Sequence, residues 1–208
     1  MAKTGGEFEA VRIFFTGVGG QGTLLATQLV GEAALEEGLP VTMSEIHGMA
    51  QRGGVVESSA VMGNAVSPTI ADGEADILLA FEPLEAARAL PKCHPKTVVI
   101  TGTTPILPFT VATGQSKYPE LAALFDLIRP KVASLVRVEA EEIARLAGAE
   151  RSSNVVMIGV LAGTRLLPIS DASWRKAMEK VLPSRILEVN LRAFQAGTEI
   201  GNRMAENR

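Results

Sequence analysis

Residues 11–22, VRIFFTGVGGQG, with the TLLATQLVGEAALEEG (23–38) that follows, join an apolar run, a cluster of glycines and a stretch of apolar residues at helical spacing. Val11 to Thr16 reads as a buried strand. Leu24, Leu25, Leu29, Val30 and Ala33 recur at the period of a helix over Gln21 to Glu37, which Gly38 and Pro40 stop. Gly17, Gly19 and Gly22 have the G-x-G-x-x-G spacing. Glycine there allows a tight strand-to-helix turn, lets backbone approach a phosphate and leaves the N–H groups of the helix N-terminus directed at an anion. The phosphate reading makes Gly17, Gly19, Gly20, Gln21, Gly22 and Thr23 the contacts; the alternative is a turn that only packs.

Outward from this unit, VTMSEI (41–46), VVESSAVM (55–62), DILLAF (76–81), TVVIT (97–101) and VASLVRV (132–138) read as strands. Helices are expected over PLEAARAL (83–90), near Glu120 to Ile128, and over EAEEIARLAG (139–148), closed by Gly148. This alternation predicts an α/β fold, a Rossmann-like, doubly wound, mostly parallel sheet. The Gly-, Pro- and Thr-rich stretch 101–119 reads as irregular, with a short strand around Phe109 to Ala112.

The remainder reads as a helical C-terminal extension over about residues 151–208 of one domain, 1–208. Ser152 or Ser153 caps NVVMIGVLAGTRLL, in which Gly159 and Gly163 lie four apart and permit close helix packing. Asp171 or Ser173 opens WRKAMEKVL, and Pro183 ends it. SRILEVNLRAFQAG (184–197) makes a further helix with Ile186, Val189, Leu191 and Phe194 mostly inward and Gly197 as its stop.

Composition narrows the function. The 208 residues are 47% hydrophobic and 21% charged with a net charge of −3 and no long basic cluster, which argues against nucleic acid or an anionic membrane surface as partner. No apolar run approaches the roughly 18–20 residues that cross a bilayer, and MAKTGGEFEA lacks the build of a signal peptide. A cytoplasmic protein is expected. Cys93 is the only cysteine, so the chain makes no internal disulfide and cannot supply the four thiolates of an iron-sulfur cluster. His47 and His94 are the only histidines, without zinc-motif spacing, and no metal site is expected. Cluster chemistry must come from a partner.

A second motif, SEIHGMAQRGG (44–54), places Glu45, His47, Gln51, Arg52 and Gly53 in a glycine-interrupted loop after a strand, where open α/β sheets bind ligands. Arg52, followed by two glycines, can present a guanidinium and free N–H groups to a carboxylate or phosphate. Glu45 is also the one candidate for the acid that holds a dinucleotide ribose about 20 residues past a glycine turn, although it lies late.

GVGGQG after the first strand and SEIHGMAQRGG after the second resemble the gamma-type domain of the 2-oxoacid:ferredoxin oxidoreductases, and the SEIHGM wording is similar to the indolepyruvate branch. ADILLAFEPLEAAR (75–88), ATGQSKYP (112–119) and SNVVMIGVLAG (153–163) extend the resemblance. It implies the small subunit of an enzyme that oxidatively decarboxylates an aryl pyruvate with coenzyme A, giving an aryl acetyl-CoA, carbon dioxide and reduced ferredoxin. Thiamine diphosphate and iron-sulfur clusters would reside on a large alpha subunit, and this chain would bind no cofactor tightly. By the same resemblance the glycine turn lines a coenzyme A site, while His47, Gln51, Arg52 and Gly53 face the cleft or the subunit interface. No residue of this chain takes a catalytic role, and the isolated chain, monomeric or homodimeric, is inactive. Val55 departs from the small polar residue usual after the glycine pair. Two other readings stay open, a stand-alone NAD(P)-dependent reductase using GVGGQG and Glu45, and a non-enzymatic nucleotide-binding interaction module.

Overall fold

Apolar β-branched and aromatic residues between glycine and proline punctuation form the strands, and the computed structural model describes them within residues 10–45, 54–64 and 67–206. The strands are β1 (Val11–Val18), β2 (Val41–Glu45), β3 (Val55–Met62), β4 (Ala75–Ala80), β5 (Cys93–Gly102) and β6 (Ser134–Val138). The helices are α1 (Thr23–Glu36), α2 (Pro83–Arg88), α3 (Phe109–Ala112), α4 (Leu121–Ile128), α5 (Ala140–Leu146), α6 (Ser153–Gly163), α7 (Asp171–Val181) and α8 (Ser184–Glu206).

The sheet order is β2-β3-β1-β4-β5-β6. β1, β4, β5 and β6 pair in parallel, whereas β3 runs antiparallel to both β1 and β2. The sheet is mostly parallel, as expected, with β3 reversed between β2 and β1. The cause is connection length: residues 46–54 are too few for the crossover of a dozen or more that a parallel return requires.

Alternation along the strands divides the core. Ile13, Phe15, Ile77, Leu79 and Ile100 face α1 and α6, while Phe14, Leu78 and Val99 face Ala86 of α2 and Ile128 at the end of α4. Helices therefore cover both faces, the doubly wound arrangement. α6 is apolar all round because it lies between the sheet and α8, buried along nearly its whole length.

Three local expectations are corrected. Phe109–Ala112 is a short helix rather than a strand: the Pro108 carbonyl accepts the N–H groups of Val111 and Ala112, and among the described residues no strand pairs with it. α7 is capped by Ser170, whose Oγ accepts the Ser173 N–H at 3.3 Å, so Asp171 and Ser173 lie inside the helix. Gly197 does not stop α8, which continues to Glu206. A Cβ at Gly197 would fall closer than 3.0 Å to the Val156 carbonyl oxygen of α6, so the glycine serves the helix crossing. Gly148, at φ 69°, does close α5. Among the described residues no helix is long and apolar enough to cross a membrane.

Candidate functional site

β1 runs through Gly17 and Val18, which pair with Val56 and Val55 of β3. The chain then turns through Gly20 (φ 106°) and Gly22 (φ 79°), left-handed conformations natural to glycine. Gly19 donates its N–H to the Gly54 carbonyl at 2.8 Å, joining the turn to the start of β3. Gly22 is the N-cap of α1, no side chain caps that end, and the first turn carries no acid. The positive end of the helix dipole and its first N–H groups thus face a cavity of about 310 Å³ between the turn glycines, Thr23, Leu24 and Val56.

Gln21, expected as a ligand contact, braces the turn. Its Oε1 accepts the Val18 N–H at 2.8 Å and its Nε2 donates to the Phe81 carbonyl at 2.9 Å. Gly17 sits against the same group, since a Cβ there would lie 3.0 Å from Gln21 Oε1 and 3.1 Å from both Phe81 Cβ and Thr23 Oγ1. From the other side Asn154 of α6 donates to the Gly22 carbonyl at 3.3 Å. Thr16 and Thr23 Oγ1 are buried and, among the described residues, without a hydrogen-bond partner.

The end of β4 supplies a residue that sequence reasoning missed. Glu82, 1% exposed, accepts the Glu85 N–H at 2.9 Å and the Ile106 N–H at 3.2 Å, and Tyr118 donates its hydroxyl to the same Oε1. A buried carboxylate here is satisfied by three neutral donors, and it ties the irregular stretch between β5 and α4 to the end of β4. Burial, with the hydrogen bond and charge of Glu82, pushes the Tyr118 hydroxyl well above its ordinary value. The available sequence signal was an acidic residue directly before a proline at a helix start, which reads as an N-cap and says nothing of burial.

Glu45 ends β2, opposite Ser58, and is exposed. The structure does not bring it to the glycine turn: with β3 inserted, Glu45 lies two strands from β1, about 10 Å at sheet spacing. In a dinucleotide fold the acid-bearing strand neighbours the turn-bearing one. His47, Gln51, Arg52 and Gly53 lie outside the described residues.

The fold and turn have counterparts among known proteins. Residues 12–200 match the family described as pyruvate ferredoxin/flavodoxin oxidoreductase. The chain is 45% identical over 185 residues to the indolepyruvate oxidoreductase subunit IorB of Methanothermobacter thermautotrophicus, spanning 89% of this chain and 94% of that one. In fold it is similar to the gamma subunit of a keto/oxoacid ferredoxin oxidoreductase from Geobacter sulfurreducens, with TM-score 0.68, 22% identity and coverage of 93% and 99%. It is also similar to the 2-oxoglutarate:ferredoxin oxidoreductase of Magnetococcus marinus, solved with 2-oxoglutarate, coenzyme A and succinyl-CoA, with TM-score 0.73 and 19% identity. There it covers 95% of this chain and 32% of the larger one.

Proposed function

The chain belongs to the pyruvate ferredoxin/flavodoxin oxidoreductase family, and from that premise we propose that it is the small subunit of a 2-oxoacid:ferredoxin oxidoreductase acting on an aryl pyruvate, with indolepyruvate as the first substrate to test. The observation that carries this reading is the 45% identity, over 89% of this chain and 94% of the relative, to an indolepyruvate oxidoreductase subunit. Coenzyme A is the co-substrate, and the product is an aryl acetyl-CoA.

The chemistry of electron transfer belongs to a large partner subunit. One cysteine cannot hold a cluster, and among the described residues no group of three or more His, Cys, Asp or Glu side chains is placed to bind a metal ion. When bound to that partner, thiamine diphosphate supplies a carbanion equivalent and the clusters accept the electrons. This chain's part is to position coenzyme A and wall the cleft. The uncapped N-terminus of α1, with Gly19, Gly20, Gly22 and Thr23 around its cavity, suits a phosphate of coenzyme A. Gly17 and Gln21 shape the turn from outside the lining of that cavity. By the family resemblance Arg52 would contribute the countercharge, with His47, Gln51 and Gly53 of the same motif as further candidates. The two-strand separation of Glu45 from the turn weighs against the nicotinamide alternative.

The test is anaerobic co-expression with the large subunit encoded in the same host. The isolated chain is expected to be inactive and colourless, and the complex brown and able to reduce ferredoxin with indolepyruvate and coenzyme A. Arg52→Ala should raise KM for coenzyme A at least about tenfold while the complex still assembles, the loss of a charge-assisted contact. A complex that assembles but oxidises no aryl pyruvate would overturn the substrate assignment.

A further inference from the structure

β3 faces two cavities at once. Val56 lines the glycine-turn cavity on the α1 side, while Val55 and Glu57, its neighbours on either side, point to the α2 side. There, with Glu85 and Arg88, they line a separate cavity of about 320 Å³.

The chemistry of this second cavity is unbalanced. The Glu85 side chain is only 3% exposed and accepts the Arg88 Nη1–H at 2.6 Å on Oε1. Its Oε2 is buried and, among the described residues, has no hydrogen-bond partner. Burial pushes this carboxyl up, Arg88 pulls it down, and Glu82 and Glu57 push it up again. Glu82 is already occupied by its three donors, and Arg88 is half in solvent. Glu57 and Glu85 thus line a cavity whose one half-exposed guanidinium is paired with Glu85. At the rim Val55, 40% exposed, offers an apolar surface that no described helix covers.

A buried carboxylate oxygen with no donor is costly. A positive charge close by lowers this cost without reaching the buried oxygen, and the head of a long basic side chain supplies one, its methylene stem on Val55 and its charge beside Glu57 and the Glu85–Arg88 pair. The absence, among the described residues, of a third metal-ligating side chain favours an organic cation over a metal ion.

We propose that the Val55–Glu57–Glu85–Arg88 cavity receives an arginine or lysine side chain of the large partner subunit and anchors the interface beside the glycine turn. The proposal rests on the small-subunit reading above, and charge complementarity selects the occupant.

The experiment measures assembly of the full chain with its large subunit as a function of salt, for the native chain, Glu57→Gln and Glu85→Gln. Each substitution is expected to weaken assembly at least about tenfold at low salt and to flatten its salt dependence. In the isolated chain Glu85→Gln should leave Tm unchanged or raise it, because a half-satisfied buried charge becomes a neutral amide. Weaker assembly alongside equal or greater chain stability is not what a merely structural role produces. Unchanged assembly and salt dependence in both variants would overturn the proposal while leaving the small-subunit reading intact. A fall in Tm for Glu85→Gln would show that the chain supplies its own partner to Oε2 and would overturn it too. So would loss of a homodimer in Glu57→Gln with the heteromeric complex unaffected, which would make the occupant a second copy. Failure of the native chain to assemble with any large subunit from its host would remove the small-subunit reading first.

Discussion

Gln21 reads from the sequence as a polar side chain at the mouth of an anion site, and the structure makes it a strut. Gln21→Ala strands the Val18 N–H and removes the donor to the Phe81 carbonyl, so unfolding in urea should show a loss of about 1–3 kcal/mol per orphaned group. Gln21→Glu should cost at least as much, since a carboxylate would face that carbonyl. Tyr118, the only tyrosine, can be followed by its own ultraviolet absorbance. Its folded-state pKa is raised, so the stability that this implies is complete below the ordinary value near 10 and is lost as pH rises above it toward the folded-state value. The hydroxyl should therefore stay largely protonated at pH values where free tyrosine ionises, until the chain unfolds. Tyr118→Phe should lower stability at neutral pH by about 1–2 kcal/mol, leaving Glu82 with two donors, and should reduce the alkaline slope between pH ~10 and ~12.

At the level of elements, α6 and α8 cross with glycine against glycine. Cβ atoms at Gly159 and Gly163 would strike the Phe194 and Thr198 carbonyl oxygens, and those at Gly197 and Gly201 the Val156 and Val160 carbonyl oxygens. Backbone cannot rotate away as a side chain can. Gly159→Ala or Gly197→Ala should thus destabilise by about 3 kcal/mol in chemical denaturation, despite a helix-propensity gain of about 1 kcal/mol. Half of this crossing is legible beforehand: Gly159 and Gly163 sit four apart inside an apolar run. Gly197 misleads because a glycine that ends a helix and one that lets a helix approach another are the same residue. The signal for continuation is Ile200 and Met204 at helical spacing beyond it, both of which pack on the core. β3 shows a similar division. Its bounds follow from its β-branched and small residues, but its direction depends on how few residues connect it to β2. In Phe109–Ala112 the Phe, Thr and Val favour a strand, and the deciding fact is that among the described residues no strand pairs with them.

For the whole molecule, the parallel alternation and the glycine turn are readable because each depends on residues near one another in the chain. Glu82 and Glu85 are not. In PLEAAR they look like the acids of an ordinary helix start, and only the stretch between β5 and α4, folding back to Tyr118, buries Glu82. The turn, the buried Glu82 hub and the acidic cavity gather at one end of the strands, so a partner docking there would meet the turn and the cavity together. The α6 side of the molecule carries a different obligation. α6 belongs to the main core, yet one of its faces is covered by α8, the last of the described helices to be synthesised. During translation every strand and α1 can leave the ribosome while that apolar face is still bare. A ribosome stalled before α8 would therefore display a sticky helix to its surroundings, and this chain should depend on chaperone shielding, or on prompt release, more than its size alone suggests.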